Sequence, residues 1–353
     1  MTLRTTVQAA SGIGAVALGV TALFLPGAHV IESPGPIFDT IGEVEGMPVI
    51  TVQGADTYAT EGTLALTTAY VSGGPVTDVR VARVIGGWLA PSQDVVPEPY
   101  VYSPGTTSEE VAERNTSTMA SSQQISVAAA LEHLEVDFDA QLVVVGFTER
   151  GVEEGVEEKL QLGDEITAAA GEPISGIEGL RQAVNEAEGE PIELTVVRDE
   201  EELNIEVPTF QEADGEYYVG IGADSRLNFP VDVDFRLEDV GGPSAGLMFT
   251  LGLIDTMTEE SLTGGEHWAG TGTVDPDGTV GIIGGPAQKA VGANEAGADH
   301  FLVPRVNCDE LEGRIPGDLA VYGVDDVDEA VAVIEAVRDG DTEYLDSVEP
   351  CGR

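Results

Sequence analysis

Apolar and polar residues alternate along residues 231–237, and this period of two predicts a β-strand. Residues 247–254 are apolar at helical spacing, which predicts a helix. The stretch between them contains Gly-Gly-Pro-Ser-Ala-Gly, so Ser244 falls where a turn opens the helix. The first backbone N–H groups of a helix have no intrahelical partner and the helix dipole is positive there, which suits an oxyanion. A serine that only caps the helix is the alternative interpretation.

A second turn of the same kind follows further along the chain. Gly284-Gly285-Pro286 comes after a predicted strand and opens a predicted helix, since proline is favoured at the first helical position. Lys289 then lies in the first helical turn. A positive helix end and burial both disfavour the charged form of a lysine, so its amine could accept a proton near neutral pH. The only other lysine, Lys159, lies in an acidic stretch and is interpreted as a solvated surface charge.

The rest of the pattern mixes short strands with helices and predicts an α+β protein. Residues 103–122 are rich in Ser, Thr and Glu and predict a mobile loop, and residues 124–134 predict a helix. We divide the chain into successive segments: residues 1–31, an N-terminal membrane anchor or signal segment; 32–135, a β-rich region; 136–210, a separable domain; 211–340, the domain that holds Ser244 and Lys289; and 341–353, a C-terminal tail.

The N-terminal segment is mostly apolar. Residues 7–25 are interrupted by only three polar residues, and continued to residue 31 they could just span a bilayer, which takes roughly 20 residues. Arg4 and the amino terminus supply positive charge, so the N-terminus should stay in the cytoplasm. A cleaved signal peptide is the alternative, although the exit sequence lacks a clean small-x-small site. Either interpretation predicts that the remainder of the chain lies outside the cytoplasm.

The charge of the chain excludes several classes of partner. Its 64 acidic and 15 basic residues give a net charge of −49, which argues against nucleic-acid binding and against docking on anionic lipid through a basic patch. The acidic residues are spread along the chain, as expected of a surface adapted to a salty medium. With four histidines and no C-x-x-C, we expect no zinc site, and we expect no cofactor.

Residues 136–210 resemble a bacterial PDZ domain. The resemblance rests on Leu162-Gly163-Asp164-Glu165-Ile166, Gly171-Glu172-Pro173-Ile174 and Leu180-Arg181-Gln182-Ala183-Val184. It implies a groove that takes an extended peptide by strand addition. The carboxylate-binding loop of the family is not obvious near residues 145–150, so recognition of C-termini stays open.

The segments around Ser244 and Lys289 resemble the Lon-type serine–lysine protease domain, through residues 241–246, Gly270-Thr271-Gly272, 281–289 and Ala296-Gly297-Ala298. With the N-terminal segment, Glu32-Ser33-Pro34-Gly35-Pro36 and the PDZ-like residues, the whole chain is similar to the membrane-anchored PDZ-domain Lon-like serine proteases. Residues 119–131 look like an early helix of the Lon proteolytic domain, which implies that the PDZ-like unit is inserted in that domain.

The resemblance implies that Ser244 is the nucleophile and Lys289 the base. We take Gly242, Pro243 and Thr271 as candidates for contacts with the oxyanion or the substrate backbone, and Thr271 also as a candidate for orienting Lys289. The acidic residue that the family carries shortly before its serine is absent at that place, where Gly241 stands, and Asp239 is two residues earlier. The identity of a third catalytic residue therefore stays open.

The function that follows is a serine endopeptidase acting outside the cytoplasm on unfolded or flexible polypeptides. It should be independent of ATP, because no G-x-x-x-x-G-K-[ST] occurs. One alternative is a non-catalytic PDZ adaptor. Another is an α/β-hydrolase-type esterase with Gly-Pro-Ser-Ala-Gly as its nucleophile elbow and His267 or His300 as base, although this leaves Lys289 unexplained.

Cys308 and Cys351 are the only two cysteines, and outside the cytoplasm we expect them to form a disulfide. The expected partners are polypeptide substrates, an extended peptide on the PDZ-like unit, and the membrane through the N-terminal helix. The oligomeric state, including a homo-oligomer, is left open by the sequence.

Overall fold

The computed structural model of the chain describes residues 3–174, 176–237, 240–348 and 351–352, without the side chains of residues 3–10 and 178. The described residues split into two compact units. The first unit combines residues up to 136 with residues from 231 onward, and the second consists of residues 137–230. The second unit is therefore an uninterrupted stretch of chain between two parts of the first.

The helices of the described residues are α1 (Leu3–Leu23), α2 (Val81–Leu89), α3 (Ser108–His133), α4 (Glu149–Glu153), α5 (Gly176–Glu186), α6 (Gly246–Met257), α7 (Pro286–Glu295), α8 (Val327–Asp339) and α9 (Thr342–Ser347). Short 3₁₀ helices cover Glu98–Tyr100, Val156–Glu158 and Arg305–Leu311.

The strands of the same residues are β1 (His29–Asp39), β2 (Glu43–Val44), β3 (Met47–Pro48), β4 (Ile50–Gln53), β5 (Thr63–Ser72), β6 (Asp94–Pro97), β7 (Asp139–Phe147), β8 (Glu165–Ala169), β9 (Glu172–Pro173), β10 (Ile192–Arg198), β11 (Glu201–Val207), β12 (Phe210–Gln211), β13 (Tyr217–Tyr218), β14 (Ile221–Asn228), β15 (Asp232–Phe235), β16 (His267–Gly270), β17 (Thr273–Val274), β18 (Val280–Gly281), β19 (His300–Pro304) and β20 (Ala320–Val324).

The first unit is built on a mixed sheet with the order β20-β19-β16-β5-β1-β6. Strand β1 is antiparallel to β5 and β6, whereas β16 is parallel to β5 and β19, and β19 to β20. Strand β19, which has a parallel neighbour on each side, is apolar and buried over residues 301–304, as expected of a strand covered on both faces. Helix α6 is buried along residues 246–255, which accounts for its apolar character on every side.

The predicted loop over residues 103–122 is wrong, because α3 covers most of it. Thr107 accepts a hydrogen bond from the backbone N–H of Glu110, and the Glu110 carboxylate accepts one from the N–H of Thr107. This capping box satisfies two N–H groups at the helix end and makes a helical start favourable in a polar stretch. Residues 126–131 of α3 are buried and, apart from Ser126, apolar, and there the predicted helix over residues 124–134 is present.

The second unit is a sheet with the order β11-β10-β8-β7-β14, accompanied by α5. Its core consists of apolar side chains from these strands and from α5, among them Leu142, Leu180 and Leu194. Buried Asp164 is held by Arg198, which donates two hydrogen bonds of 2.7 Å to its carboxylate. The unit extends past residue 210, where we had expected it to end, because β14 pairs with β7 along its length.

Helix α1 leads into the first unit, and its described side chains, residues 11–23, are exposed. Across the described part of the chain, no helix combines the length and the apolar character needed to cross a membrane. The predicted membrane-spanning helix over residues 1–31 thus gains no support from the structure.

Candidate active site

Ser244 lies in the turn that opens α6, one residue before the helix N-cap Ala245. Gly242 has φ +89°, a conformation that glycine adopts without the strain a Cβ would add. A Cβ on Gly246 would lie 3.0 Å from Cγ1 of Val274, so a small residue is needed where the helix begins. The glycines around the serine are therefore required by backbone geometry and close packing.

Lys289 lies on the fourth residue of α7, just after the turn that Gly285 makes with φ +63°. The backbone N–H of Lys289 donates to the Gly285 carbonyl at 3.1 Å, so this residue belongs to the first hydrogen-bonded turn. Its side chain is only 3% exposed.

The structure brings Ser244 and Lys289 together. The Lys289 ammonium donates a 2.8 Å hydrogen bond to Oγ of Ser244. It donates a second one, of 3.0 Å, to Oγ1 of Thr271. Two helix openings far apart in sequence thus place a hydroxyl and an amine at the distance needed for proton transfer.

Thr271 links both members of this pair. It is completely buried, and its hydroxyl donates a 3.0 Å hydrogen bond to the carbonyl oxygen of Ser244 while accepting one from Lys289. The N–H of Gly272 donates to the same carbonyl at 2.9 Å. The backbone after Ser244 and the amine of Lys289 are therefore held by one side chain.

Burial lowers the pKa of Lys289 from 10.5 to about 8, because the charged ammonium loses its hydration. The Glu32 carboxylate acts in the opposite sense and raises the pKa of the lysine. Glu32 itself has a raised pKa, mainly because of burial and then because of the nearby charge of Asp94. The effect of burial is larger than that of Glu32, so the amine of Lys289 is partly neutral at physiological pH.

The backbone N–H groups around the serine differ in their availability. The N–H of Gly242 donates to the Asn115 carbonyl at 3.2 Å, and Pro243 has no N–H. Neither is therefore a free donor for an oxyanion, although both residues line the cleft described below. Within the described residues, the N–H groups of Ser244 and Ala245 have no hydrogen-bond acceptor in the protein.

A cleft of about 870 Å³ opens over the pair. Its walls include Glu32, Gly242, Pro243, Ser244, Gly285 and Lys289. One wall is residues 68–71 in the second half of β5, of which residues 69–71 pair with β1 on one side, whereas β16 pairs only with residues 63–66. In the described part of the chain no strand pairs with the other edge of residues 68–71, so this edge can accept a further strand.

A second anchor holds the loop before Lys289. Asn307 is completely buried, and its amide accepts the N–H of Ile283 and donates to the Ile283 carbonyl, both at 3.0 Å. Its neighbour Cys308 forms a disulfide with Cys351, with their Cα atoms 4.9 Å apart. The sequence indicates Thr271 as a candidate for orienting Lys289, and the structure places its hydroxyl 3.0 Å from Nζ of that lysine. The bond from Thr271 to the Ser244 carbonyl and both bonds of Asn307 could not be assigned from the sequence.

The remaining sequence candidates lie elsewhere. His267 contacts Thr63, and His300 stacks on Trp268 at 4.5 Å with Glu266 at 3.8 Å from its Nε2. Among the described residues, neither histidine is hydrogen-bonded to Ser244. Asp239 lies outside the described residues.

The second unit has its own groove, of about 570 Å³. Its walls come from α5, from residues 148–150 and from the turn of residues 217–221 that leads into β14. Strand β14 ends the sheet order, so its outer edge carries no further strand in the described part of the unit. Residues 148–150, where a carboxylate-binding loop was expected, line this groove together with the turn of residues 217–221. The sequence prediction places that turn outside the domain, which it ends at residue 210.

Comparison with known proteins finds a similarity in the region that contains the pair. Residues 239–336 match the family model of the Lon protease (S16) C-terminal proteolytic domain. Over 96 residues the chain is 30% identical to Lon protease 1 of Borreliella burgdorferi, covering 26% of this chain and 12% of that protein. Over 94 residues it is 34% identical to Lon protease 1 of Sorangium cellulosum, covering 26% of this chain and 11% of that protein. The matches thus span about an eighth or less of the length of these relatives.

Among solved structures, the chain is similar to the PDZ domain of the SdrC-like protein from Listeria monocytogenes. The sequence identity is 13%, the TM-score is 0.21, and the match covers 23% of this chain and 85% of that domain. A TM-score at this level carries no argument about the fold.

Proposed function

We propose that the chain is a serine endopeptidase that uses Ser244 and Lys289 as a catalytic dyad and works without ATP. The similarity of residues 239–336 to the proteolytic domain of Lon proteases supports a serine protease. The observation that carries the dyad is the 2.8 Å contact between Nζ of a buried lysine and Oγ of Ser244. A histidine base has no such contact here, which disfavours the esterase alternative.

In the proposed mechanism, neutral Lys289 takes the proton of the Ser244 hydroxyl while Oγ attacks the scissile carbonyl carbon. The ammonium then gives this proton to the leaving amine as the peptide C–N bond breaks, which leaves an acyl-enzyme. Water attacks the acyl carbon, giving one proton to Lys289, and Ser244 recovers it as the acid product leaves. The Thr271 hydroxyl accepts a hydrogen bond from Lys289 whether the lysine is neutral or charged. This bond keeps the lone pair of the neutral amine, or a proton of the ammonium, directed at Oγ of Ser244.

The developing oxyanion would accept hydrogen bonds from the N–H groups of Ser244 and Ala245, which have no other acceptor in the described protein. In other hydrolases one such donor is worth roughly 2.7–4 kcal/mol. The substrate would lie as an extended segment along the open edge of residues 68–71, because an edge strand offers unpaired backbone groups. Only unfolded or flexible polypeptides can present such a segment.

The groove of the second unit suits a second extended peptide, held along β14 and against α5. Its walls are largely apolar, with Leu180, Val184 and Phe210 among them, and its charged side chains include Arg150, which lies 3.9 Å from Glu212. We propose that this groove selects or retains polypeptides for cleavage.

We further propose that the protein acts outside the cytoplasm and is attached to the membrane by its N-terminal segment. The disulfide between Cys308 and Cys351 supports an oxidising location, since such bonds are rare in the cytosol. Alkaline extraction of membranes and N-terminal sequencing of the extracted protein test attachment. A soluble protein that begins after residue 31 would contradict it.

The dyad is tested by cleavage of a casein substrate and by labelling with a serine-reactive phosphonate. Ser244→Ala should abolish both, and Lys289→Arg should abolish cleavage because arginine does not lose its proton in proteins. Lys159→Arg is the matched control, since this exposed lysine lies in the second unit, where it donates to the Glu206 carbonyl, and it should leave activity unchanged. A wild-type protein that neither cleaves nor labels would favour the adaptor alternative, and an active Lys289→Arg variant would exclude the lysine as base.

A further inference from the structure

Helix α2 has an unusual distribution of apolar side chains. A surface helix normally turns its apolar face to the core and its polar face to water. In α2 only Val84 and Gly87 are buried, while Ile85, Trp88 and Leu89 on the other side are 39%, 62% and 79% exposed. A tryptophan and two aliphatic residues thus lie together in solvent on nine residues of helix.

The exposed residues of α2 continue onto the end of α1. Phe24 and Leu25, directly after α1, are 61% and 55% exposed. Backbone hydrogen bonds join the two segments: Gly27 N–H to the Val79 carbonyl at 2.7 Å, and Val81 N–H to the Leu25 carbonyl at 3.0 Å. We refer to the residues Phe24, Leu25, Ile85, Trp88 and Leu89 as the α1–α2 surface.

The charge around this surface differs from the rest of the protein. In a chain with 64 acidic residues, residues 1–31 and 79–93 contain none. Two aspartates flank the second stretch, Asp78, which is exposed, and Asp94, which pairs with Arg314. The charged side chains of the second stretch are Arg80, which lies 5.7 Å from the ring centroid of Phe24, and Arg83, which donates to Gln93. A membrane surface repels acidic side chains far more than it repels this patch, because carboxylates lose hydration and meet lipid phosphates there.

We propose that the α1–α2 surface docks on a lipid bilayer, with Trp88 and Leu89 entering the region between headgroups and acyl chains. Tryptophan is favoured at that depth because its ring is apolar while its N–H can reach water or headgroups. The exposed, uncharged residues 11–23 of α1 directly precede Phe24 in the chain and would supply a second apolar contact with the same bilayer. Insertion of apolar residues carries this docking, so anionic lipid is not required.

Docking would also bring the catalytic cleft near the bilayer. The ring of His29 contacts Trp88, with centroids 5.8 Å apart, and His29 is the first residue of β1. Glu32 follows three residues later and lines the cleft, which is about 10 Å along a strand. Substrates held at a membrane surface would thus be close to Ser244.

The protein contains its own reporter for this contact. Its two tryptophans are Trp88, which is 62% exposed, and Trp268, which is fully buried. The full-length chain is titrated with phosphatidylcholine vesicles in molar sodium chloride, with and without lipids that carry a spin label on the acyl chain. Trp88 emission should shift to shorter wavelength and be quenched by the spin-labelled lipid, whereas Trp88→Phe should remove the shift and the quenching.

A second arm measures the apolar contribution of α2. Ile85→Ser/Leu89→Ser should weaken vesicle binding by about tenfold or more, from the loss of two partly inserted aliphatic side chains. Leu162→Ser is the matched control, because this leucine is 66% exposed in the second unit and should leave binding unchanged. Cleavage of a soluble peptide should be equal in all three variants, which separates this inference from the proposed activity.

Two results would overturn the proposal. In the first, the chain binds vesicles through α1 while Trp88 is neither shifted nor quenched. In the second, Trp88 emission shifts with protein concentration in the absence of lipid and sedimentation shows a dimer, which would assign the α1–α2 surface to a second copy of the chain.

Discussion

The buried lysine predicts how cleavage depends on pH. With a pKa of about 8, about one Lys289 in ten is neutral at pH 7, compared with about one in three thousand for a lysine at 10.5. Burial therefore raises the population of the base form by about 300-fold at this pH. The rate should follow this population, so kcat/KM should rise about 50-fold between pH 6 and pH 8 and level off near pH 9.

The assay is hydrolysis of a fluorogenic peptide without ionisable side chains, with far-ultraviolet circular dichroism at each pH to verify folding. His267→Ala and His300→Ala should retain the same midpoint, because neither imidazole contacts Ser244. A flat profile would refute the reasoning, as would a midpoint near 6.5 that disappears with either histidine.

The same pKa predicts a cost in stability. The folded-state pKa lies below the unfolded value, so the unfolded chain binds this proton more tightly, and the contribution of Lys289 to stability rises with pH between about 8 and 10.5. Below pH 8 the buried ammonium costs about 3 kcal/mol. Lys289→Met should then unfold at higher urea concentration than the wild type at pH 7, by less than this amount because its hydrogen bonds to Ser244 and Thr271 are also lost. A variant less stable than the wild type at pH 7 and equal to it at pH 10.5 would contradict the sign.

Four further predictions concern other residues. Glu32→Gln should move the midpoint of the pH–rate profile to lower pH, because this carboxylate raises the pKa of Lys289; a shift to higher pH would exclude that role. Asn307→Ala should lower kcat at least about tenfold, because the backbone of Ile283 loses both of its hydrogen bonds to this side chain. The midpoint of the pH–rate profile should not move, because Lys289 stays buried, and an unchanged kcat would assign Asn307 to stability alone. The double variant Cys308→Ser/Cys351→Ser should lower the free energy of unfolding by about 4 kcal/mol, from the loop of 43 residues that the bond closes, and peptide mass mapping without reductant should find both wild-type thiols blocked. The melting temperature should rise with sodium chloride, because the Debye length falls from about 10 Å at 0.1 M to about 3 Å at 1 M and screens a net charge of −49; a falling curve would contradict a salt-adapted surface.

The sequence by itself determined the local features of the site. The glycines beside Ser244 and before Lys289 mark turns that open helices, and both turns are present, with positive φ at Gly242 and Gly285. These features depend on single residues, because glycine adopts positive φ without strain and proline is favoured at the first position of a helix. The hairpin of β10 and β11 follows from alternation in the same way. The T-x-x-E pattern of a capping box is present at Thr107 and Glu110, but the sequence prediction rests on the polar composition of this stretch and assigns a loop.

Tertiary structure decided how these local pieces combine. The pattern does not reveal that Thr271 bonds both Lys289 and the Ser244 carbonyl, or that Asn307 holds Ile283, because each bond joins residues 18 to 27 positions apart whose relative placement depends on the packing of several elements. The assignment of β14 to the second unit likewise depends on its pairing with β7, a strand some 80 residues earlier. The pKa of Lys289 has the same origin, since burial of one amine depends on every segment packed around it rather than on its neighbours in sequence.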